Sequence, residues 1–207
     1  MPILNRFAHF QLILCFLISN LVLNAQTGSF VYGDALPDAP ELSARGSYAV
    51  GVRTLDFVNK GQADVLNSKN GIDPIYDRPL KVEVWYPAQL AEGAKETVVY
   101  DEVMGTAHDS LRPLTPITFK GRASRDAAPL TTDGSFPLLV VAHGYVGSRY
   151  LMTYLTENLA SKGYVVVAID HTDSTFRDAS PFASTLVNRA KDISFVLNQT
   201  VNLGRAG

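Results

Sequence analysis

The chain has 207 residues, 46% of them hydrophobic and 18% charged. That is enough to bury a core and too apolar for a disordered segment, so one domain is expected. Lys and Arg total 18 against 20 Asp and Glu, a formal charge of −2. With no basic run anywhere, this balance argues against a nucleic-acid backbone as partner and points to no particular ligand.

Asn5 and Arg6 precede an apolar stretch from Phe10 to Leu23 that only Gln11, Ser19 and Asn20 interrupt. Leu23-Asn24-Ala25 then offers a small residue for cleavage, so residues 1–25 read as a secretory signal peptide. A membrane anchor needs about 20 apolar residues, and this run has 14 with polar interruptions. Cys15, the only cysteine, follows Leu14 where a lipoprotein signal would have a small residue. The mature chain is expected to begin at Gln26, with 17 basic and 20 acidic residues and no cysteine. A secreted or periplasmic protein is expected, held together by its core without disulfides and with no stable membrane span after signal cleavage.

Residues 26–45, rich in Pro, Gly, Asp and Ala without periodicity, read as an extended leader. Tyr48 to Phe57 is β-prone, and Asn59 to Arg78, carrying Asn70-Gly71 and Asp73-Pro74, reads as a polar loop. In "PLKVEVWYP", Leu80, Val82, Val84 and Tyr86 alternate with Lys81, Glu83 and Trp85. That period predicts a strand with one buried face, ended by Pro87. Thr97 to Tyr100 predicts another short strand, and Asp101 to Ser135, with no amphipathic pattern, a long surface excursion.

Leu138 to Ala142 is continuously apolar, which predicts a strand covered on both faces in the middle of a sheet. From Arg149 to Lys162, Leu151, Leu155 and Leu159 fall at i, i+4 and i+8 with Met152 and Ala160 alongside. A helix with that face toward the core is expected, stopped by Gly163. Tyr164 to Ile169 reads as a second buried strand, and the succession predicts a right-handed parallel crossover. Ser180-Pro181 marks the start of a second helix whose packing stripe would be Phe182, Leu186, Ala190, Ile193 and Leu197.

In a parallel α/β sheet, ligands sit at the carboxyl ends of strands, where His143-Gly144-Tyr145-Val146-Gly147 falls. Two glycines would let the chain turn sharply and expose backbone N–H groups before a helix, a setting that stabilises a developing oxyanion. H-G-x-x-G alone is equally a plain strand-to-helix turn. Asp170, His171 and Asp173 invite a metal or catalytic-triad reading, but they are consecutive in a turn with no second cluster at zinc spacing and no cysteine. Turn and capping hydrogen bonds account for them without a metal, and none is expected. His108 reads as a surface residue.

From "RPLKVEVWYP" through "FPLLVVAHGYVGSRYLMTYLTENLASKGYVVVAIDHTDS" the sequence resembles the α/β-hydrolase superfamily, in the branch of platelet-activating factor acetylhydrolases and dienelactone-hydrolase-like esterases. The resemblance spans about Arg45 to Leu197. It implies a mostly parallel sheet with flanking helices, over residues 46–207, and a serine carboxylic-ester hydrolase that uses no metal or organic cofactor on a small-molecule or lipid ester. It also implies that the Tyr145 backbone N–H forms half of the oxyanion hole. His143, Gly144 and Gly147 would shape that loop, with His143 hydrogen-bonding neighbouring backbone instead of acting as the general base.

The nucleophile of such enzymes sits in G-x-S-x-G on a strand-to-helix turn. These 207 residues contain no such motif. The nearest approach, Leu159-Ala160-Ser161-Lys162-Gly163, lacks the first glycine and ends a helix instead of starting one. The expectation is therefore an amino-terminal, oxyanion-hole half, inactive alone, whose serine, acid and late histidine are not in this chain. The alternative is a non-catalytic exported binding protein on a shortened hydrolase scaffold.

Overall fold

The computed structural model describes residues 44–131 and 134–206. The expected signal peptide, and all but the last two residues of the expected leader, lie outside them. β1 (Val50–Ala63) and β2 (Ile75–Gln89) form a long antiparallel hairpin, in register from Val50↔Pro87 to Phe57↔Leu80 and again at Ala63↔Ile75. The expected loop from Asn59 to Arg78 is therefore shorter, because the in-out alternation of β1 continues past Phe57 to Lys60. Asn70 and Gly71 both take positive φ, 53° and 76°, between the paired Lys69 and Ile72. This is the primed hairpin turn that Asn-Gly favours.

β2 continues through Pro87 to Gln89 and is buried on both faces from Val82 to Ala88, not on one. It is a central strand, flanked by β1 and by β8 (Val165–Asp170). Leu80, Val82, Val84 and Tyr86 pack with Val167, Ile169 and Val196, while Trp85 faces Tyr100, Tyr150, Ala160 and Val166. Glu83 is fully buried on that second face, accepting from Thr54 Oγ1 (2.9 Å), Arg149 Nε (3.1 Å), the Tyr150 hydroxyl (3.2 Å) and the Arg125 guanidinium.

Asp101 to Ser135 is not a loose excursion. β3 (Val98–Met104) and β4 (Thr115–Gly121) form a separate antiparallel sheet, β5 (Ser124–Arg125) pairs with β1, and β6 (Ala128–Pro129) pairs with β2. What fixes the small sheet is a buried polar chain. Trp85 Nε1 donates to the Tyr100 hydroxyl (2.9 Å), which donates to Glu157 Oε1 (2.7 Å), while Glu157 Oε2 accepts the Arg122 N–H (2.8 Å).

β7 (Leu138–Ala142), α1 (Thr153–Ser161) and β8 make the expected crossover, with β7 parallel to β8 from Leu138↔Val165 to Ala142↔Ile169. The main sheet runs β5-β1-β2-β8-β7, with β6 added on β2. Pairing is parallel at the crossover, and antiparallel in β1–β2–β8, where the hairpin dictates direction. β7 is at the edge among the described residues and only half-buried, not central.

Both helices bury only part of the expected stripe, Ala160 and the partly buried Leu159 on the first and the partly buried Ile193 on the second, and add polar positions to it. α1 buries Thr153, Thr156, Glu157, Ala160 and Ser161, and Leu151 just before it is 37% exposed. The small hydroxyl residues satisfy themselves on the helix backbone, Thr153 Oγ1 on Tyr150 O (2.6 Å) and Ser161 Oγ on Asn158 O (2.6 Å). Gly46 packs tightly on the end of this helix, where a Cβ on it would stand 2.1 Å from the Ser161 backbone carbonyl. Gly163, at φ 94°, ends the turn after α1 as expected. α2 (Phe182–Ala206) buries Ser184, Thr185, Asn188, Asp192 and Val196, leaving Phe182 and Leu186 exposed. Ser180 does not cap it; its hydroxyl donates to Asp178 O (3.3 Å). No helix among the described residues is long and apolar enough to cross a membrane.

Burial raises the Glu157 carboxyl above its ordinary pKa, and each of its oxygens accepts a hydrogen bond, one from the Tyr100 hydroxyl and one from the Arg122 N–H. Glu157→Gln turns one acceptor into a donor and is expected to cost about 1–3 kcal/mol, the penalty of an unmet buried polar group. Urea unfolding checks this, and a change below about 0.5 kcal/mol, the range of ordinary surface substitutions, would contradict it.

Candidate active site

β7 delivers its last residue, Ala142, into His143-Gly144-Tyr145-Val146-Gly147. His143 turns inward and is 4% exposed. Its Nδ1 lies 2.6 Å from Gly144 O, and its Nε2 lies 3.4 Å from the His171 N–H. A carbonyl only accepts and an amide N–H only donates, so the proton sits on Nδ1 and both ring nitrogens are engaged. Burial depresses this imidazole to a pKa of about 4, so it is neutral at pH 7 and has no free lone pair with which to act as a base.

The far end of the loop is tied to the turn after β8. Gly147 N–H donates to Ser174 O (3.2 Å), Phe176 N–H donates to Gly147 O (3.0 Å), and Arg149 N–H donates to Asp170 Oδ1 (2.6 Å). Gly147 must be glycine, because a Cβ there would meet His143 Nδ1 at 2.7 Å. Gly144 has nothing within 4 Å of such a Cβ, and neither glycine takes a positive φ. The turn therefore needs one of its two glycines, and for close approach to the His143 ring, not for backbone freedom.

Tyr145 sits at the apex, 44% exposed, its hydroxyl donating to Ser180 O (2.6 Å) and its ring edge-on to Phe182 at 5.2 Å. The hydroxyl and ring hold the loop against the start of α2. A groove of about 700 Å³ opens beside it, lined by Phe182, Leu186, Arg189, Ala190 and Ile193. Arg189 reaches from α2 under the loop, one guanidinium nitrogen donating to His143 O and the other to Gly144 O at 3.3 Å. Gly144 O thus takes donors from both Arg189 and His143 Nδ1. In a planar trans peptide the C=O and the next N–H point opposite ways. With Gly144 O drawn toward α2, the Tyr145 N–H points away from it, and among the described residues that N–H has no acceptor.

His171 is the hinge between this loop and the interior. Its Nδ1 lies 3.1 Å from Asp192 Oδ2, and Asp192 in turn pairs with Arg78 Nε at 2.8 Å. The three groups of the Asp170 to Asp173 turn diverge: Asp170 holds Arg149, His171 holds Asp192, and Asp173 accepts from Arg78 Nη1 (2.9 Å) and Ser184 Oγ (2.7 Å). Ion pairs across the fold, not local turn or capping bonds, account for these acids. His108 is exposed. Ser161 is buried at the end of α1, bonded to Asn158 O. The sequence reading missed Arg78, Arg189 and Asp192. The signal for Arg189 was a cation seven residues after Phe182, hence on the same apolar stripe of α2.

The unfolded imidazole titrates near 6.5 and the folded His143 near 4. Between those values the unfolded chain binds the extra proton, so stability falls as pH drops from 6.5 toward 4, by about 3 kcal/mol in all from this group. Denaturant unfolding at a series of pH values should show this slope in the parent and its loss in His143→Asn. Equal slopes in both proteins would contradict the assignment.

Among solved structures, a ferulic acid esterase from Streptomyces cinnamoneus is similar to this chain, with 26% identity and a TM-score of 0.50 over 76% of this chain and 48% of its own. The chain thus spans about half the length of that esterase. No curated protein matches it. The family described as platelet-activating factor acetylhydrolase, isoform II, matches residues 42–199. With an α/β sheet, flanking helices and a match over most of its length, the chain belongs to that family of α/β-hydrolase, esterase-type proteins.

Proposed function

We propose that this chain is the oxyanion-hole portion of an exported serine carboxylic-ester hydrolase acting on a small-molecule or lipid ester. The observation that carries this is the Tyr145 N–H, left without an acceptor at the carboxyl end of β7 while its own peptide carbonyl is held by Arg189 and His143. A serine alkoxide adding to an ester carbonyl pushes negative charge onto the carbonyl oxygen. A donor already aimed at that oxygen stabilises the charge without reorganising, a contribution of about 100- to 1000-fold in turnover. Family membership supports ester chemistry, and so does the similarity to a protein titled as a ferulic acid esterase. The scheme calls for no metal or organic cofactor.

The serine, acid and general-base histidine are assigned to sequence outside these 207 residues, since G-x-S-x-G is not among them. The edge of β7, unpaired among the described residues, is the natural seat for the strand that would carry the serine. The charged start, apolar run and Ala25 support export in this reading.

Labelling with a fluorophosphonate probe tests this division of labour. Residues 26–207 should take no label, and the same residues extended through the downstream coding sequence should be labelled on a serine within G-x-S-x-G. A labelled serine within residues 26–207 would overturn the division. Failure of both proteins to label or to hydrolyse p-nitrophenyl acetate would favour the non-catalytic binding protein.

A further inference from the structure

The small β3–β4 sheet and the tail of the loop line a second cavity, of about 270 Å³ and open on one side, where Met104 and Leu151 are exposed. Its walls are Met104, Ile117, Phe119, Tyr150, Leu151 and Phe176. Tyr150 faces it with its ring, because its hydroxyl is committed to Glu83 (3.2 Å) and to Arg149 Nη2 (2.8 Å). Phe119 stands edge-on to that ring at 6.5 Å and 81°. Phe176 is fastened to the loop itself through its N–H on Gly147 O.

Two polar groups complete the lining. Ser148 is 4% exposed, and its Oγ accepts the Tyr150 N–H (3.2 Å) but donates to no acceptor among the described residues. Glu102, 7% exposed, accepts only the N–H of Val103 (2.8 Å), with Arg177 Nε 3.7 Å off. A buried hydroxyl with a proton to give asks for an acceptor, and a buried carboxylate repels a second anion.

We propose that this cavity binds a neutral single-ring aromatic group, one of whose oxygen atoms accepts the Ser148 hydroxyl. An apolar cavity of about 150 Å³ holds benzene, so 270 Å³ takes one ring with a short substituent. Walls set edge-to-face favour an aromatic occupant over an alkyl chain. Ser148 follows Tyr145 by three residues, a span of at most about 11 Å. On the ester-hydrolase reading, which the placement of this group in a substrate rests on, the ring belongs to one side of an ester whose carbonyl is at Tyr145.

Fluorine NMR titration of residues 26–207 with 4-fluorobenzyl alcohol and 4-fluorobenzoate reads the site without any need for hydrolysis. The alcohol should bind saturably, and Ile117→Trp and Met104→Trp, which fill the cavity from two sides, should each weaken it about tenfold or more, the scale on which hydrophobic pockets register a misfit. The benzoate should bind at least about tenfold more weakly than the alcohol and recover in Glu102→Gln. Thermal melts establish that each variant is folded, and either tryptophan variant suffices. No binding of the alcohol, binding untouched by a folded tryptophan variant, or equal binding of alcohol and benzoate would overturn the proposal. Because binding and serine labelling are separate measurements, loss of the pocket leaves the ester chemistry standing, and loss of labelling leaves the pocket.

Discussion

Arg78 lies within β2 with 1% of its side chain exposed, and every one of its five N–H groups is used. Nε and Nη2 donate to the two oxygens of Asp192 at 2.8 and 3.0 Å, Nη1 to Asp173 (2.9 Å) and the Tyr76 hydroxyl (2.6 Å), and Nη2 also to Thr172 O (2.6 Å). Three segments distant in sequence, β2, the turn after β8 and α2, converge on one guanidinium. Leaving such a charge without a partner costs about 3–5 kcal/mol, which is why this contact sets where α2 lies and which face it turns inward. Ser184, Asn188 and Asp192 go in, and Phe182 and Leu186 are left facing out.

The loop after β7 inherits its shape from that placement. Asp192 fixes the His171 ring, the His171 N–H meets the His143 ring, and Arg189, one turn before Asp192, comes up beneath the His143 and Gly144 carbonyls. Each bond constrains the next, so the direction of the Gly144–Tyr145 peptide is settled from deep within the protein. A hydrogen-bond donor held by so many fixed contacts is preorganised, the property by which a polar site stabilises charge that appears only in a transition state. The same loop continues into Ser148 and Tyr150, where it walls the aromatic cavity, so one segment connects both candidate subsites.

Much of this was legible in the sequence. The alternation in Leu80 to Tyr86, the apolar runs Leu138 to Ala142 and Tyr164 to Ile169, and the Asn70-Gly71 turn all fell within the expected elements, because each depends on local periodicity or on backbone chemistry. The H-G-x-x-G segment landed at a strand end for the same reason. What escaped was non-local. Leu151 and Leu186 are exposed while Glu157 and Asp192 are buried, because these two carboxylates had partners on other segments, Tyr100 and Arg78, that no window of sequence contains. Tyr100 likewise looked like the end of a short strand, yet its hydroxyl, between Trp85 and Glu157, joins the small sheet to the main one. Periodicity assigns apolar faces to the interior, and here buried ion pairs and hydroxyls took over part of that face on both helices.

The most direct measurement is a crystal structure of the protein extended through the G-x-S-x-G serine that the proposed function calls for, trapped as a phosphonate adduct whose charged oxygen stands where the tetrahedral oxyanion would form. That oxygen should lie about 2.7–3.1 Å from the Tyr145 nitrogen, with Arg189 still bonded to the His143 and Gly144 carbonyls. An adduct oxygen held by other donors, with the Tyr145 N–H turned away from it, would contradict the assignment of this loop as the oxyanion hole.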